Sequence, residues 1–363
     1  MTVSEFIPKS YTNTLESGTV EWESPSNIAL IKYWGKKEHQ IPSNPSISFT
    51  LSQCKTITKL HFSKKVISDD FSFDVFLGGE QKNEFKPKIE TFFKRIQAYL
   101  PFLKEYHFKI ETSNTFPHSS GIASSASGMS ALALCLMSIE KQLVLQDNTK
   151  EFQDYFNKKA SFLARLGSGS ACRSIEGDLI VWGENDTVEG SSDLFGVKYP
   201  YQVHDNFKNY QDTILLVDKG EKQVSSTVGH NLMHNHPYAE NRFQQAHDNL
   251  KLLKPILESG NIEAFVELIE SEALTLHAMM MTSLPNFILM KPNTLEIINK
   301  IRVFRADTGC QVGFTLDAGA NVHVLYPKKD TSKVLEFINN ELVAYCQNGH
   351  YICDTIGFGA KKA

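Results

Sequence analysis

A chain of 363 residues is long enough for two domains with separate cores, so stability does not require disulfides. A formal net charge of −4 without an extended Lys/Arg run disfavours nucleic acid as the main partner. The first residues lack the apolar core of a signal peptide, no apolar run reaches the ~18 residues of a membrane span, and the six cysteines form no CxxC pair. We therefore expect a soluble, cytoplasmic protein without membrane or nucleic-acid partners.

The first half of the chain alternates predicted strands with helices. Residues 1–20 look like an irregular extension. β-branched and aromatic alternation then predicts strands, and three- and four-residue apolar spacing predicts helices. The predicted strands are 20–36, 46–62, 107–113 and 178–183. One predicted helix begins at about Ser124, and a second covers 151–166.

The second half shows the same mixture after a turn-rich segment, so we place a domain boundary near residue 200. The predicted elements are an apolar strand at 213–218, helices at 239–258, 261–279 and 293–305, a hairpin at 313–327, a helix at 331–346 and a short final strand. Strands and helices follow no regular βαβ period, so the predicted fold class is α+β.

The stretch FPHSSGIASSASG, 116–128, connects a predicted strand to a predicted helix. Met129, Leu132, Ala133 and Leu136 follow it at helical spacing, which excludes a floppy linker. A strand, a glycine-rich turn and a helix direct free N–H groups and the positive helix end at an anion. The lysine of a Walker A loop is missing. The stretch alone fits a phosphate site and ordinary helix capping equally well.

Three further stretches carry candidate polar residues, each with an ordinary structural explanation. In NIALIKYWGKK, Lys32 shares the strand face of Leu30 and Trp34, which fits a lysine facing an anionic ligand or an edge strand with solvated lysines. In ARLGSGSACRS, the hydroxyls and Arg173 suit a carboxylate or phosphate, whereas a helix C-cap also explains the glycine. In FTLDAGAN, Asp317 is a turn aspartate or a general base.

In combination, these stretches resemble the diphosphomevalonate decarboxylase family of the GHMP kinase superfamily. The resemblance runs from about residue 20 and rests on SNIALIKYWGKK, NPSISFTLS, NTFPHSSGIASSASG, GSGSACRS, QVSSTVG and TLDAGAN, in the family's order. It implies a two-domain GHMP kinase-like α+β fold with an N-terminal half like a ribosomal protein domain, a ferredoxin-like C-terminal half and the active site in the cleft between them. The implied domains are 21–200, with the ATP phosphate loop, and 201–363.

The resemblance also implies a reaction, cofactors and site residues. The reaction is ATP- and Mg²⁺-dependent decarboxylation of (R)-mevalonate 5-diphosphate through phosphorylation of its 3-hydroxyl, by a homodimer. Asp317 matches the aspartate that activates the hydroxyl, Lys32 a lysine near the transferring phosphoryl group, and Arg173 the arginine that binds the substrate carboxylate. The other matching positions are Asn27, Tyr33, Lys36, Ser168, Gly169 and Ser170 for substrate, and Pro117, Gly121, Ala123, Ser124, Ser125 and Ser127 for ATP, with Ser124 and Ser125 reaching Mg²⁺ through ATP.

The sequence departs from the family pattern at several places, including SPSN at 24–27 and NPSIS at 44–48. His118 and the two serines after it add polarity beside the expected nucleotide phosphates, and Glu176 and Asp178 follow the expected anion site closely. The cluster His230, His234 and His236 matches no family motif, and no flanking acid or cysteine completes a metal ligand set.

These departures leave alternatives on the same scaffold. One is a decarboxylase that prefers mevalonate 5-phosphate, and another is a kinase that phosphorylates the 3-hydroxyl and stops. A third is a non-catalytic binding relative, which the presence of Asp317, Lys32 and Arg173 disfavours.

Overall fold

The strands of the computed structural model form two sheets. The model describes residues 1–66, 70–117, 122–144, 149–219 and 226–363. The strands are β1 (Ser17–Ile31), β2 (Ser46–Lys64), β3 (Ser72–Leu77), β4 (Glu80–Gln81), β5 (Tyr106–Asn114), β6 (Leu179–Trp182), β7 (Val197–Lys198), β8 (Gln211–Leu215), β9 (Gly313–Thr315), β10 (Val322–Tyr326), β11 (Tyr351–Thr355) and β12 (Lys361–Lys362). The predicted mixture of strands and helices is confirmed.

The first sheet has the order β12-β1-β2-β5-β3-β4, and β6 joins β2 to β7. β1 and β2 pair antiparallel from Ser17 opposite Ser63 to Ile31 opposite Ile47, whereas β3 and β5 are parallel. β1 therefore begins inside the segment that we expected to be irregular. Its last eight residues are all buried, because β1 packs against helices of both halves. The strand thus delivers the residues after Ile31 into the interior.

Helices cover both sheets. They are α1 (Lys86–Ile96), α2 (Ser124–Val144), α3 (Lys150–Gly167), α4 (Ser226–Asn231), α5 (Ala239–Ser259), α6 (Ile262–Met281), α7 (Pro292–Thr308) and α8 (Thr331–Phe337). The start of α2 at Ser124 agrees with its prediction. The prediction of one continuous helix at 331–346 is wrong. α8 ends at Phe337, and a π turn and a 3₁₀ turn follow it.

The second sheet has the order β11-β8-β10-β9, with antiparallel pairing throughout. Its strands and α7 and α8 enclose one apolar cluster, and α1, α2 and α3 enclose another against the first sheet. A third cluster joins the halves, since Phe49 and Leu51 of β2 belong to it together with Leu250 and Leu253 of α5. This shared core fixes the end of β1 relative to the second half.

Helix hydropathy and the state of the cysteines bear on the class of protein. In the described residues, no helix has the length and hydropathy that crossing a bilayer requires. All six cysteine thiols are free, and five of them are buried.

Candidate active site

A cavity of about 510 Å³ lies between the two halves. The first half contributes the end of β1, the start of α2 and the turn after α3, and the second half contributes Leu276 and the segment after β9. The predicted site residues on its wall are Lys32, Tyr33, Lys36, Ala123, Ser124, Ser125, Ser168, Gly169, Ser170, Arg173 and Asp317. The fold thus brings together residues from all four motifs.

Lys32 and Asp317 form an ion pair across the cleft. Lys32 directly follows β1, and its Nζ donates to Asp317 Oδ1 at 3.2 Å. The Lys32 side chain is 2% exposed and that of Asp317 is 30% exposed. Burial lowers the pKa of Lys32 from its usual value, and the carboxylates of Asp317 and Glu272 oppose this effect. A partly accessible carboxylate beside a buried ammonium suits proton transfer and phosphoryl-group stabilisation.

Arg173 lies in a 3₁₀ turn, Gly169–Ser174, that follows α3. Its guanidinium is buried on the cavity wall, donates to the hydroxyl of Ser46 and lies 5.8 Å from the ring centre of Trp182. Its Nε donates to Asn27 Oδ1 at 3.4 Å. Asn27, predicted to bind substrate, lies behind the wall instead, because its amide also bonds to the Ser170 carbonyl and the Ser174 hydroxyl. Asn27 therefore orients the arginine turn.

The start of α2 carries the residues predicted to bind phosphate. Ala123 has a φ of 45°, in the left-handed region, and this turns the chain into the helix. Ser125 Oγ lies 3.3 Å from Ser168 Oγ, so the hydroxyls of the α2 start and the α3 turn meet at one point. The N-terminal N–H groups of a long helix and clustered hydroxyls fit a metal-bound polyphosphate.

Among the described residues, two that were predicted to contact ATP are not on the cavity wall. Ser127 is buried, because its hydroxyl faces the sheet and lies 2.6 Å from Thr56 Oγ1. It packs against the sheet, and its assignment as an ATP contact stays a prediction. Pro117 is exposed outside the lining, and Gly121, like His118, lies outside the described residues.

Glu176 and Asp178 do not face the site, contrary to our expectation. The 3₁₀ turn points Arg173 inward, and the chain then leaves the cavity wall. Glu176 Oε1 accepts from Asn157 at 3.4 Å, and Asp178 is paired with Lys198 at 3.7 Å. Neither carboxylate lines the cavity.

The histidine cluster separates into different environments. His230 lines the cavity, and its Nδ1 accepts the Gly35 N–H at 3.0 Å. His236 is buried, with Nε2 3.1 Å from the Met279 carbonyl oxygen, and His234 is exposed. Within the described residues, no group of three or more His, Cys, Asp or Glu side chains is placed to hold a metal ion.

Sequence reasoning missed a buried ion pair behind Lys32. Arg242 of α5 contacts both carboxylate oxygens of Glu272 of α6, at 3.0 and 2.6 Å. The Lys32 N–H donates to Glu272 Oε2 at 2.9 Å, and Arg242 Nη2 donates to the Lys32 carbonyl at 3.1 Å. No local signal marks these residues, because charged residues on an amphipathic helix are usually solvent-facing.

His277, also on α6, bonds to the backbone of Asp317, the other member of the ion pair with Lys32. Its Nε2–H donates to the Asp317 carbonyl oxygen at 3.1 Å, and the imidazole is 1% exposed. Burial lowers its pKa from 6.5 to about 4, so His277 is neutral at physiological pH.

The protonation of His277 predicts acid destabilisation. Its folded-state pKa of about 4 lies below the unfolded value of 6.5, so the unfolded state binds the proton more readily. Stability is therefore full above pH 6.5 and falls as the pH drops towards 4, by about 3 kcal/mol. Urea unfolding between pH 7 and 4.5 measures this loss. The loss of unfolding free energy should be smaller in His277→Gln and the same as in the wild type in His234→Gln. If His277→Gln loses as much unfolding free energy as the wild type, His277 is not the source of the acid destabilisation.

Comparison with known proteins agrees with this geometry. Residues 24–193 match the model of the diphosphomevalonate decarboxylase-like N-terminal domain, and residues 213–356 match that of the mevalonate 5-diphosphate decarboxylase C-terminal domain. The diphosphomevalonate decarboxylase of Debaryomyces hansenii is 30% identical over 339 residues, which cover 87% of this chain and 81% of that protein. The chain belongs to the diphosphomevalonate decarboxylase family.

Solved structures of this family share the fold. The mevalonate diphosphate decarboxylase from Staphylococcus aureus superposes with a TM-score of 0.80 at 27% identity, over 96% of this chain and 98% of that one. A structure described as "MDDEF in complex with MVAPP, AMPPCP and Magnesium" gives 0.80 at 27% identity, over 96% and 99%. The predicted GHMP kinase-like α+β fold is thereby confirmed.

Proposed function

We propose that this protein catalyses the ATP-dependent decarboxylation of (R)-mevalonate 5-diphosphate to isopentenyl diphosphate, ADP, phosphate and CO₂. The observation that carries the proposal is the Lys32–Asp317 pair, 3.2 Å apart, on a cavity wall that also contains Arg173 and the start of α2. Family membership supports the choice of substrate, since one related structure holds MVAPP together with AMPPCP, an ATP analogue, and magnesium.

The first step is phosphorylation of the tertiary 3-hydroxyl. Hydroxide is a poor leaving group, and transfer of the γ-phosphoryl group of ATP converts it into phosphate. Asp317 accepts the hydroxyl proton, and Lys32 stabilises negative charge on the phosphoryl group in transfer. The ion pair between them joins the partly exposed carboxylate to the buried ammonium on the cavity wall.

The second step is loss of phosphate and CO₂. Departure of phosphate leaves positive character at C3. The bond between the carboxylate carbon and C2 then breaks, and its electrons form the C2–C3 double bond as CO₂ leaves. Arg173 holds the carboxylate in the required orientation by bidentate hydrogen bonding. Its guanidinium is already fixed by Ser46 and Asn27, so little reorganisation accompanies the reaction.

The remaining wall residues divide between the two substrates. Tyr33, Lys36, Ser168 and Ser170 surround the position proposed for the substrate diphosphate, and the start of α2 receives the ATP phosphates. Ser124 and Ser125 supply the hydroxyls that would hold Mg²⁺ through ATP. When bound, the ion neutralises phosphate charge.

The assignments of domains, assembly and location extend this proposal. We infer domains at 21–200 and 201–363, and the two family matches fall within these limits. A homodimer, which the family resemblance implies, and a cytoplasmic location stay predictions. The free thiols support a reducing compartment.

The test is a parallel assay with Mg²⁺-ATP and mevalonate, its 5-phosphate or its 5-diphosphate, recording ADP, phosphate and CO₂ separately. We expect equal release of all three from the 5-diphosphate. ADP without CO₂ would identify a 3-hydroxyl kinase, CO₂ from the 5-phosphate alone a different decarboxylase, and no product from any substrate a non-catalytic relative.

A methyl group at Gly169 should weaken substrate binding. A Cβ there would lie 2.9 Å from Tyr33 Oη and 3.0 Å from a Trp182 ring carbon, so Tyr33 must move. Overpacking of this kind costs about 1–3 kcal/mol, and we expect Gly169→Ala to raise KM for mevalonate 5-diphosphate about 10-fold or more. Steady-state kinetics with ATP saturating measures it, and an unchanged KM would remove Tyr33 from the substrate contacts.

A further inference from the structure

In the described residues, the backbone hydrogen bonds of Lys32, directly after β1, are made with side chains. The β1–β2 ladder ends with Ile31 opposite Ile47, and Lys32 is the next residue. Its N–H and carbonyl group are buried. The N–H donates to the Glu272 carboxylate, and the carbonyl oxygen accepts from Arg242 and, at 2.9 Å, from Asn44. The position of Lys32 therefore depends on side chains of the second half.

The Arg242–Glu272 pair is costly if stability is its only role. Both side chains are 0% exposed. Apolar residues of similar volume usually stabilise a core as well as a buried ion pair does, because both charges lose their hydration. Asn249 adds a further hydrogen bond to Glu272 Oε1 at 2.5 Å. Both Glu272 oxygens are hydrogen-bonded, whereas Arg242 Nε is buried without a hydrogen-bond partner among the described residues. A network of this kind fixes geometry rather than adding stability.

The same helix also holds Asp317. Glu272 and His277 are both on α6, and His277 bonds the Asp317 carbonyl while Glu272 bonds the Lys32 N–H. One rigid element of the second half thus fixes the backbones of both residues that meet at 3.2 Å in the cleft.

We propose that Arg242 and Glu272 are positioning residues for the reaction, which place the Lys32 ammonium at the transferring phosphoryl group through its backbone. This inference rests on the function proposed above. Displacement of a catalytic group by about 1 Å can cost about 10²-fold in rate, so the effect falls on kcat.

The charges around Lys32 provide a second readout. The groups that face it are the carboxylates of Asp317 and Glu272, the guanidinium groups of Arg173 and Arg242, and the neutral imidazole of His277. Glu272→Gln removes one negative charge and leaves Arg242 in place. Without this charge the protonated form of Lys32 is less stable relative to the neutral amine. Activity should therefore be lost at a lower alkaline pH than in the wild type.

The experiment compares Arg242→Lys and Glu272→Gln with a matched control, Glu140→Gln. Glu140 forms an equally buried pair with Lys159 at 2.7 Å, away from the cavity. Arg242→Lys retains the charge but cannot bond both carboxylate oxygens and the Lys32 carbonyl together. Circular dichroism and thermal unfolding establish folding, and kcat, both KM values and the pH profile of kcat/KM are measured with mevalonate 5-diphosphate and ATP.

We expect kcat to fall about 10- to 100-fold in Arg242→Lys and Glu272→Gln, with KM for ATP nearly unchanged. The alkaline limb should move to lower pH in Glu272→Gln only, and Glu140→Gln should lose stability but keep kcat. If Glu272→Gln does not fold, the kcat of Arg242→Lys decides. Wild-type kcat in the folded variants, or an equal loss in Glu140→Gln, would overturn the inference. An inactive wild type would instead refute the proposed function, and this inference with it.

Discussion

Asp317→Asn should reduce kcat by about 10³-fold or more and leave ATP affinity within a factor of about two. Asparagine has the shape of aspartate but cannot accept the proton of the 3-hydroxyl. The amide oxygen can still accept from Lys32 Nζ, but the ion pair with the buried ammonium is lost. Single-turnover kinetics with mevalonate 5-diphosphate measures the chemical step, and calorimetric titration with an ATP analogue measures binding.

The matched control is Asp178→Asn, which changes an exposed carboxylate outside the cavity. It should have wild-type kcat. If Asp317→Asn turns over at a near-normal rate, Asp317 is not the base, and the proton must leave by another route.

Arg173→Lys should lower kcat/KM by about 10²- to 10³-fold, although the positive charge is retained. The guanidinium contacts Ser46 and Asn27 and still faces the cavity, whereas one ammonium cannot make these contacts and a bidentate bond to a carboxylate. The substrate carboxylate would then rotate away from the orientation that C–C cleavage requires. ADP release should therefore fall less than CO₂ release.

Measuring the two products separately distinguishes this effect from a general loss of activity. The control Arg305→Lys alters an arginine of the second half that pairs with Glu270 at 2.6 Å, and should leave both products unchanged. An equal fall of ADP and CO₂ in Arg173→Lys would place Arg173 in the phosphorylation step rather than in decarboxylation.

Local patterns were sufficient for much of the fold and part of the site. Alternation in β1 predicted that Lys32 shares a face with buried residues, and the spacing after residue 124 predicted α2. The placement of Asp317 after an apolar strand was also visible in the sequence. These features depend on neighbours within a few residues, so a single chain reveals them.

The sequence-based expectations differ from the structure where the backbone pattern leaves the direction of a side chain open. Ser127 belongs to the same serine-rich stretch as Ser124 and Ser125, but the helix turns its hydroxyl towards Thr56. Glu176 follows Arg173 closely in sequence, yet the 3₁₀ turn sends it to the other side of the wall. Spacing alone does not fix the direction of a residue in an irregular turn.

The contacts that fix Lys32 were beyond sequence reasoning for a different reason. Glu272 lies far from Lys32 along the chain, and only the docking of the second half brings them together. A buried charge on a helix has the same sequence pattern as a solvated one, and its role depends entirely on what packs against it.

The pairing of β12 with β1 determines the order in which the first sheet is completed during synthesis. Lys361 and Lys362 pair with Glu23 and Trp22, and the Gly357 N–H donates to the Thr50 carbonyl at 2.7 Å. The ribosome therefore makes the entire second half before this edge of β1 receives its partner. Until then the nascent chain exposes an unpaired strand edge, which favours intermolecular pairing. Messages truncated before codon 357 should yield chains that depend on chaperones for solubility.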